Sequence, residues 1–410
     1  IIYIVLALTF GYTMIVAETA IGRMTRKSPV GAFKSFGKKK WLSFGGWINA
    51  VIPVLIVPYY SVIGGWVIKY LVEYFRGNAK LLAEDGYFTD FISNGVSTEL
   101  CFVAFCAFTL IIIFAGVQNG IERVSKIMMP ILIVLSVIIA VYSVTRPGAL
   151  AGVKYFLVPN VKNFSWMTVV SAMGQMFYSL SIAMGILITF GSYMKKDTAI
   201  EDSTRNVEIF DTGIAIMAGL MIIPAVFAFS GGDPDTLQAG PSLMFITIPK
   251  VFQNMGFGTV IGIVFFLLVL FAAITSSIAL TESAVSTFED ELGWGRKKAT
   301  VLVGVIMLAL GSLSSLGYGP LAGIKIIGMQ FLDLFDFLTN SVMMPIAALL
   351  TSLLVSRVVG IDKIEDEIIH GESAFRRKKV FVVMIKYLCP VFAIIILLSS
   401  VANALGWIKM

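Results

Sequence analysis

Histidine occurs once in this chain of 410 residues, and cysteine three times. His370 lies in a charged stretch, IEDEIIHGES, where a solvated imidazole is expected. Cys101, Cys106 and Cys389 are scattered among apolar residues, where cysteine normally packs as a small hydrophobe. No CxxC pair or zinc-ligand spacing exists, so a disulfide framework, a metal cluster and an activated thiol have no basis. That removes the usual equipment of an intramembrane enzyme. Charge is scarce too. Asp, Glu, Lys and Arg make up 14% of the chain, against about 25% in soluble domains. The N-terminus, IIYIVLALTF, has no methionine, no charged leader and no cleavage signal. It starts inside an apolar run, and the expectation is that the sequence is truncated there.

What the chain has in abundance is hydrocarbon. Hydrophobic residues account for 58% of it, and the mean hydropathy is +0.90. Apolar runs recur near 1–22, 44–74, 98–117, 124–146, 166–193, 207–230, 257–286, 299–316, 329–356 and 379–406. Each is long enough to cross a hydrocarbon core of roughly 30 Å. The fold class is an all-α polytopic membrane protein. The formal charge of +6 does not indicate a nucleic-acid partner, because most of the 31 basic residues fall in alternate loops. Lys38, Lys39 and Lys40 are examples, as are Arg296, Lys297 and Lys298. By the positive-inside rule those loops are cytoplasmic and the C-terminus is extracytoplasmic.

Segment 171–193, SAMGQMFYSLSIAMGILITFGSY, is apolar yet interrupted by serines, a glutamine and glycines. Gly174, Gly185 and Gly191 permit unwinding, and Ser179 and Ser181 would offer oxygen ligands beside freed carbonyls. A helix broken at a substrate and ion site is one reading. An ordinary span with serines bonded back to their own helix is the other. Further along, Ala272, Thr275 and Ser276 share a helical face, so two hydroxyls converge near one carbonyl; back-bonding again competes. Ile56, Tyr60 and Ile63 also share a face. Ionisable residues inside spans, Glu18, Asp211 and Asp336, are functional candidates by default. Asp290, in an EDE run, reads as solvated when taken alone.

Five segments read together change the weights. AETAIGR at 17–23, NGIERVSKIMMP at 119–130, GQMFYSLSIAMG at 174–185 and GPSLMFITIPKVF at 240–252 are followed by ITSSIALTES with FEDELG at 274–283 and 288–293. In this order and spacing the chain resembles the bacterial branch of the neurotransmitter:sodium symporters, over its whole length. The resemblance implies the inverted five-helix repeat fold of the leucine-transporter type, present from the second family helix to the eleventh. Residues 1–146 would be the remainder of the first repeat, 166–356 the second, and 379–406 an additional helix, all in one transmembrane domain.

The resemblance also implies residue roles. The substrate would be held by Ile56, Tyr60, Tyr178, Ser179, Ser181, Met184, Ser276 and Leu280, with the Tyr60 hydroxyl on its carboxylate. One sodium would use Ser179 and Asp211, the latter as a fixed charge that makes chloride unnecessary. A second would use Ala272, Thr275 and Ser276. Asp336 would form an outer gate with an arginine of the absent first helix, and Tyr193 with Asp290 an inner gate in which another N-terminal arginine pairs with Asp290. Glu18 would brace that helix. Ala183 stands where the bacterial leucine transporter has glycine, which argues against a preference for tryptophan. Residues 237–252 read as a lid helix started by Pro241. The implied function is sodium-coupled uptake of a neutral, hydrophobic L-amino acid across the bacterial cytoplasmic membrane, with no enzyme activity and no cofactor beyond co-transported sodium. A proton-coupled transporter, a non-transporting sensor and a channel are the alternatives. The oligomeric state is not fixed by the sequence.

Overall fold

A computed structural model describes residues 2–160, 164–233, 237, 240–404 and 407. Nine helices in it are long and apolar enough to cross a bilayer. They are Ile2–Thr25 (α1), Lys40–Phe75 (α2), Gly95–Phe114 (α3), Val117–Val144 (α4), Ile200–Ser230 (α7), Gly258–Leu292 (α9), Arg296–Leu316 (α10), Phe331–Val359 (α11) and Lys378–Asn403 (α13). The tenth expected crossing, 166–193, is two pieces, Trp166–Ser179 (α5) and Ile186–Tyr193 (α6). Leu243–Gln253 (α8) and Ile361–Ile369 (α12) complete the set used below. Part of the 237–252 and 379–406 segments lies outside the described residues. Among the described residues there is no strand, only one isolated bridge, Ile326 to Met329. Helix is the expected answer, because each span must satisfy its own backbone groups in hydrocarbon.

At 36 residues, α2 would be about 54 Å long at 1.5 Å per residue, well beyond the bilayer core. It packs along α9, α3 and α10 and forms the spine of the molecule. At one end, Trp66, Tyr70, Phe88, Phe245 and Phe266 build an aromatic cluster with ring centroids 5.0 to 5.8 Å apart between neighbours such as Trp66–Phe245 and Tyr70–Phe245. The Tyr70 hydroxyl donates to the Phe245 carbonyl at 2.7 Å and fastens α8 to α2. The chain is helical from Pro241 onward, as a proline at the first helical position allows.

The break between α5 and α6 spans 180–185. Ser181, Ala183 and Gly185 there have φ of 54°, 58° and 72°. Of the three glycines expected to permit unwinding, only Gly185 lies at the break. Gly174 is inside α5, and Gly191 is inside α6 for a different reason: a Cβ on it would stand 2.6 Å from the Thr19 carbonyl oxygen of α1. Its role is close helix packing.

Candidate functional site

The break opens onto a cavity of about 510 Å³. Its wall takes Ile56 and Tyr60 from α2, Tyr178 and Ser179 from the end of α5, Ser181 and Met184 from the unwound turn, and Ser276 and Leu280 from α9. All eight residues expected to hold substrate therefore surround one space. Helical spacing explains the α2 and α9 contributions, since positions four apart face the same way. The lining is mostly apolar, with a few hydroxyls near the break. Sequence reasoning missed Ile121, Ser125 and Met129 of α4, Ile186 and Phe190 of α6, and Ile278 and Ala279 of α9. The fourfold spacing of Ile121, Ser125 and Met129 was the available signal.

Two oxygen-rich places adjoin this cavity. At the first, the Ser179 hydroxyl donates to Asp211 Oδ1 at 2.6 Å, and the Tyr3 hydroxyl donates to Oδ2 at 2.6 Å. Asp211 itself stands behind Ser179, which also borders a second cavity of about 810 Å³ on the far side of α5. At the second place, Thr275 Oγ1 donates to the Phe271 and Ala272 carbonyls, at 3.0 Å each. The back-bonded geometry is thus realised, but a hydroxyl that donates keeps lone pairs for a cation. Ser276 is exposed to the cavity. Among the described residues no group of three His, Cys, Asp or Glu side chains could chelate a metal. Hydroxyls, carbonyls and the single Asp211 carboxylate form a donor set suited to a hard monovalent cation.

The gate candidates separate in space. Asp336 on α11 accepts from Tyr59 at 3.1 Å and from Asn340 at 2.5 Å. Tyr59 and Tyr60 are consecutive on α2 and so diverge, one toward Asp336 and one toward the cavity. Asp290 accepts the Ser28 backbone N–H at 2.6 Å. Tyr193 donates to Glu282 at 2.8 Å. Glu282 is fully buried and is held by both terminal nitrogens of Arg296, while Arg296 Nε donates to the Ile113 carbonyl at 3.0 Å. Glu282 was not singled out from sequence, although a glutamate inside ALTESAV is the kind of intramembrane charge that marks function. None of the α8 residues lines the cavity. Glu18 accepts the Ala183 N–H at 2.8 Å, so within the described residues it braces the unwound turn. His370 is exposed, and the three cysteines are unlinked and at least half-buried.

The comparisons with known proteins point one way. A model of the sodium:neurotransmitter symporter family matches residues 89–407. An uncharacterized sodium-dependent transporter of Bacillus subtilis (strain 168), YhdH, is 32% identical over 404 residues, covering 98% of this chain and 89% of the relative. An uncharacterized sodium-dependent transporter of Haemophilus influenzae is 29% identical over 416 residues, covering 97% and 89%. The crystal structure of MhsT in complex with L-phenylalanine superposes with a TM-score of 0.86 at 32% identity, covering 97% of this chain and 90% of that one. With the fold, the broken helix and the family model in agreement, this chain belongs to the sodium:neurotransmitter symporter family.

Proposed function

We propose that the protein takes up a neutral, hydrophobic L-amino acid by sodium-coupled alternating access, with its basic loops on the cytoplasmic side of a bacterial membrane. The observation that carries this reading is the single cavity shared by Ile56, Tyr60, Tyr178, Ser179, Ser181, Met184, Ser276 and Leu280. Its volume falls among small-molecule sites, roughly 300–1,000 Å³. The amino-acid ligand of the MhsT structure supports the substrate class.

In this mechanism the unwound turn at 180–185 presents backbone groups to the amino and carboxyl ends of the substrate, and Tyr60 donates to the carboxylate. Met184, Ile56 and Leu280 receive the side chain, Met184 adapting most readily to its shape. One sodium is held beside Ser179 and Asp211, another by the Ala272 carbonyl with Thr275 and Ser276. Ion binding orders the broken helix and completes the pocket, which couples the two gradients. Two sodium ions falling through 100 mV would supply ~4.6 kcal/mol, at ~2.3 per charge. That sustains a substrate gradient of about three decades. Equilibrium binding of a radiolabelled amino-acid panel in sodium and in choline tests the reading. Sodium-dependent binding confined to hydrophobic amino acids is expected, whereas a preference for glutamate or lysine rejects the substrate assignment.

A further inference from the structure

α1 and the residue that follows it hold the second half of the broken segment at both ends. Glu18 takes the Ala183 N–H at 2.8 Å ahead of α6. Arg26 donates to the Ser192 carbonyl at 3.1 Å, and to that of Met194, at the other end. A carboxylate at the start of a helix and a guanidinium at its end both complement the helix dipole. Between these clamps the two backbones nearly touch, because a Cβ on Gly22 would lie 2.0 Å from the Ile188 carbonyl oxygen. The pair α1–α6 is thus closely packed and clamped at both ends.

Arg23 ties that pair to the rest of the same face. It is fully buried. Its Nε donates to Glu367 Oε1 at 2.7 Å, while the two terminal nitrogens reach the carbonyls of Glu367 and Thr198. Glu367, on α12 and 4% exposed, also accepts from Lys196 at 2.9 and 2.7 Å. One guanidinium therefore joins α1, the connection from α6 to α7, and α12. Beside it, Glu201 of α7 accepts the backbone N–H groups of Arg376 and Arg377 at 2.7 and 3.0 Å, and the Tyr12 hydroxyl as well. Arg377 pairs with Glu208 at 3.1 and 2.7 Å and lies 3.8 Å over the Tyr12 ring.

A static joint needs no buried ion pair, since well-packed hydrophobic residues usually hold one at least as well. The two kinds of joint differ on opening. A parted hydrophobic joint exposes apolar surface to water, whereas a parted ion pair regains its hydration. A joint that is specific when closed yet close to balanced when open is what a two-state element requires. We propose that Arg23 and Glu367 form a latch. It holds the α1–α6 unit against α12 in one limb of the transport cycle and releases into water in the other. The proposal rests on the transport reading, with Arg23 a positioning residue that never meets the substrate.

The test compares the full chain with Glu367→Gln, which keeps the shape but drops the charge, and Arg23→Lys, which keeps the charge but cannot span three acceptors. Three quantities are read: sodium-dependent binding capacity, uptake per binding site in vesicles, and amide exchange by mass spectrometry. Capacity should stay within about twofold, exchange over 194–200 and 361–377 should quicken by roughly tenfold, and uptake per site should fall several-fold. A structural role alone would lower capacity and leave uptake per site intact, which overturns the latch. Unchanged exchange in both variants overturns it too. Wild-type protein with no sodium-dependent uptake rejects the transport reading. A sodium-dependent change of exchange confined to the two segments still decides separately whether the contact opens.

Discussion

Glu18 and Ala183 are joined by a hydrogen bond of 2.8 Å from the alanine N–H to a fully buried carboxylate, across 165 residues of sequence. That bond occupies a backbone donor which the break between α5 and α6 would otherwise leave unpaired. Removing the acceptor should cost about 1–3 kcal/mol at this donor. In Glu18→Leu, substrate affinity is expected to fall by a factor between about five and a hundred or more. Glu18→Gln retains an acceptor and should stay much closer to wild type. Binding isotherms of the two variants check this; equal losses would show that the bond to Ala183 is not the feature that matters.

Thr275 places its hydroxyl 3.0 Å from the Ala272 carbonyl oxygen, with Ser276 beside it on the cavity wall. Thr275→Val keeps the volume and deletes the oxygen. The sodium concentration for half-maximal binding should rise roughly tenfold, about 1.4 kcal/mol, with amino-acid affinity largely restored at saturating sodium. A sodium titration that does not move would exclude Thr275 from the ion site.

Asp211 brings a carboxylate within 2.6 Å of the Ser179 hydroxyl. Substrate binding by the wild-type protein should therefore be insensitive to replacing chloride with gluconate. Asp211→Asn removes the fixed charge and should make binding weaker and chloride-dependent. Strict chloride dependence of the wild-type protein would refute the assignment.

Ala183 adopts φ of 58°, a left-handed conformation that costs an L-residue roughly 1–2 kcal/mol. Glycine carries no such penalty, so Ala183→Gly should let the unwound turn relax around larger side chains. Competition binding should show tryptophan gaining several-fold on leucine. An unchanged ratio would place the size limit elsewhere, with Met184 the next candidate.

Much of this molecule was legible because the informative signals are local. Apolar runs marked each crossing, and the polar interruptions of 171–193 marked the broken one. Helical spacing, with the family motifs, grouped residues that do line one cavity. Gly174 and Gly191 were misread because composition cannot separate a glycine that permits a break from one that lets two helices touch; Thr19 of another helix decides the case of Gly191. Long-range charge pairing was the larger omission. Arg23 and Glu367 are 344 residues apart in sequence. Each alone reads as an ordinary charge near a membrane surface. The partners of the inner-gate candidates are likewise set by tertiary contacts, the Tyr193 hydroxyl donating to Glu282 and Asp290 accepting the Ser28 backbone N–H. Partner choice there depends on how α6, α9 and the turn before Pro29 meet, and no single segment encodes that.

The most direct measurement is uptake of a radiolabelled hydrophobic L-amino acid into vesicles carrying the protein, with sodium or choline outside and an inside-negative potential. Accumulation that requires sodium, exceeds equilibrium and saturates is the predicted result. Sodium-independent entry, or entry that rises without saturation, would contradict coupled transport through the cavity around Tyr60, Tyr178 and Ser276.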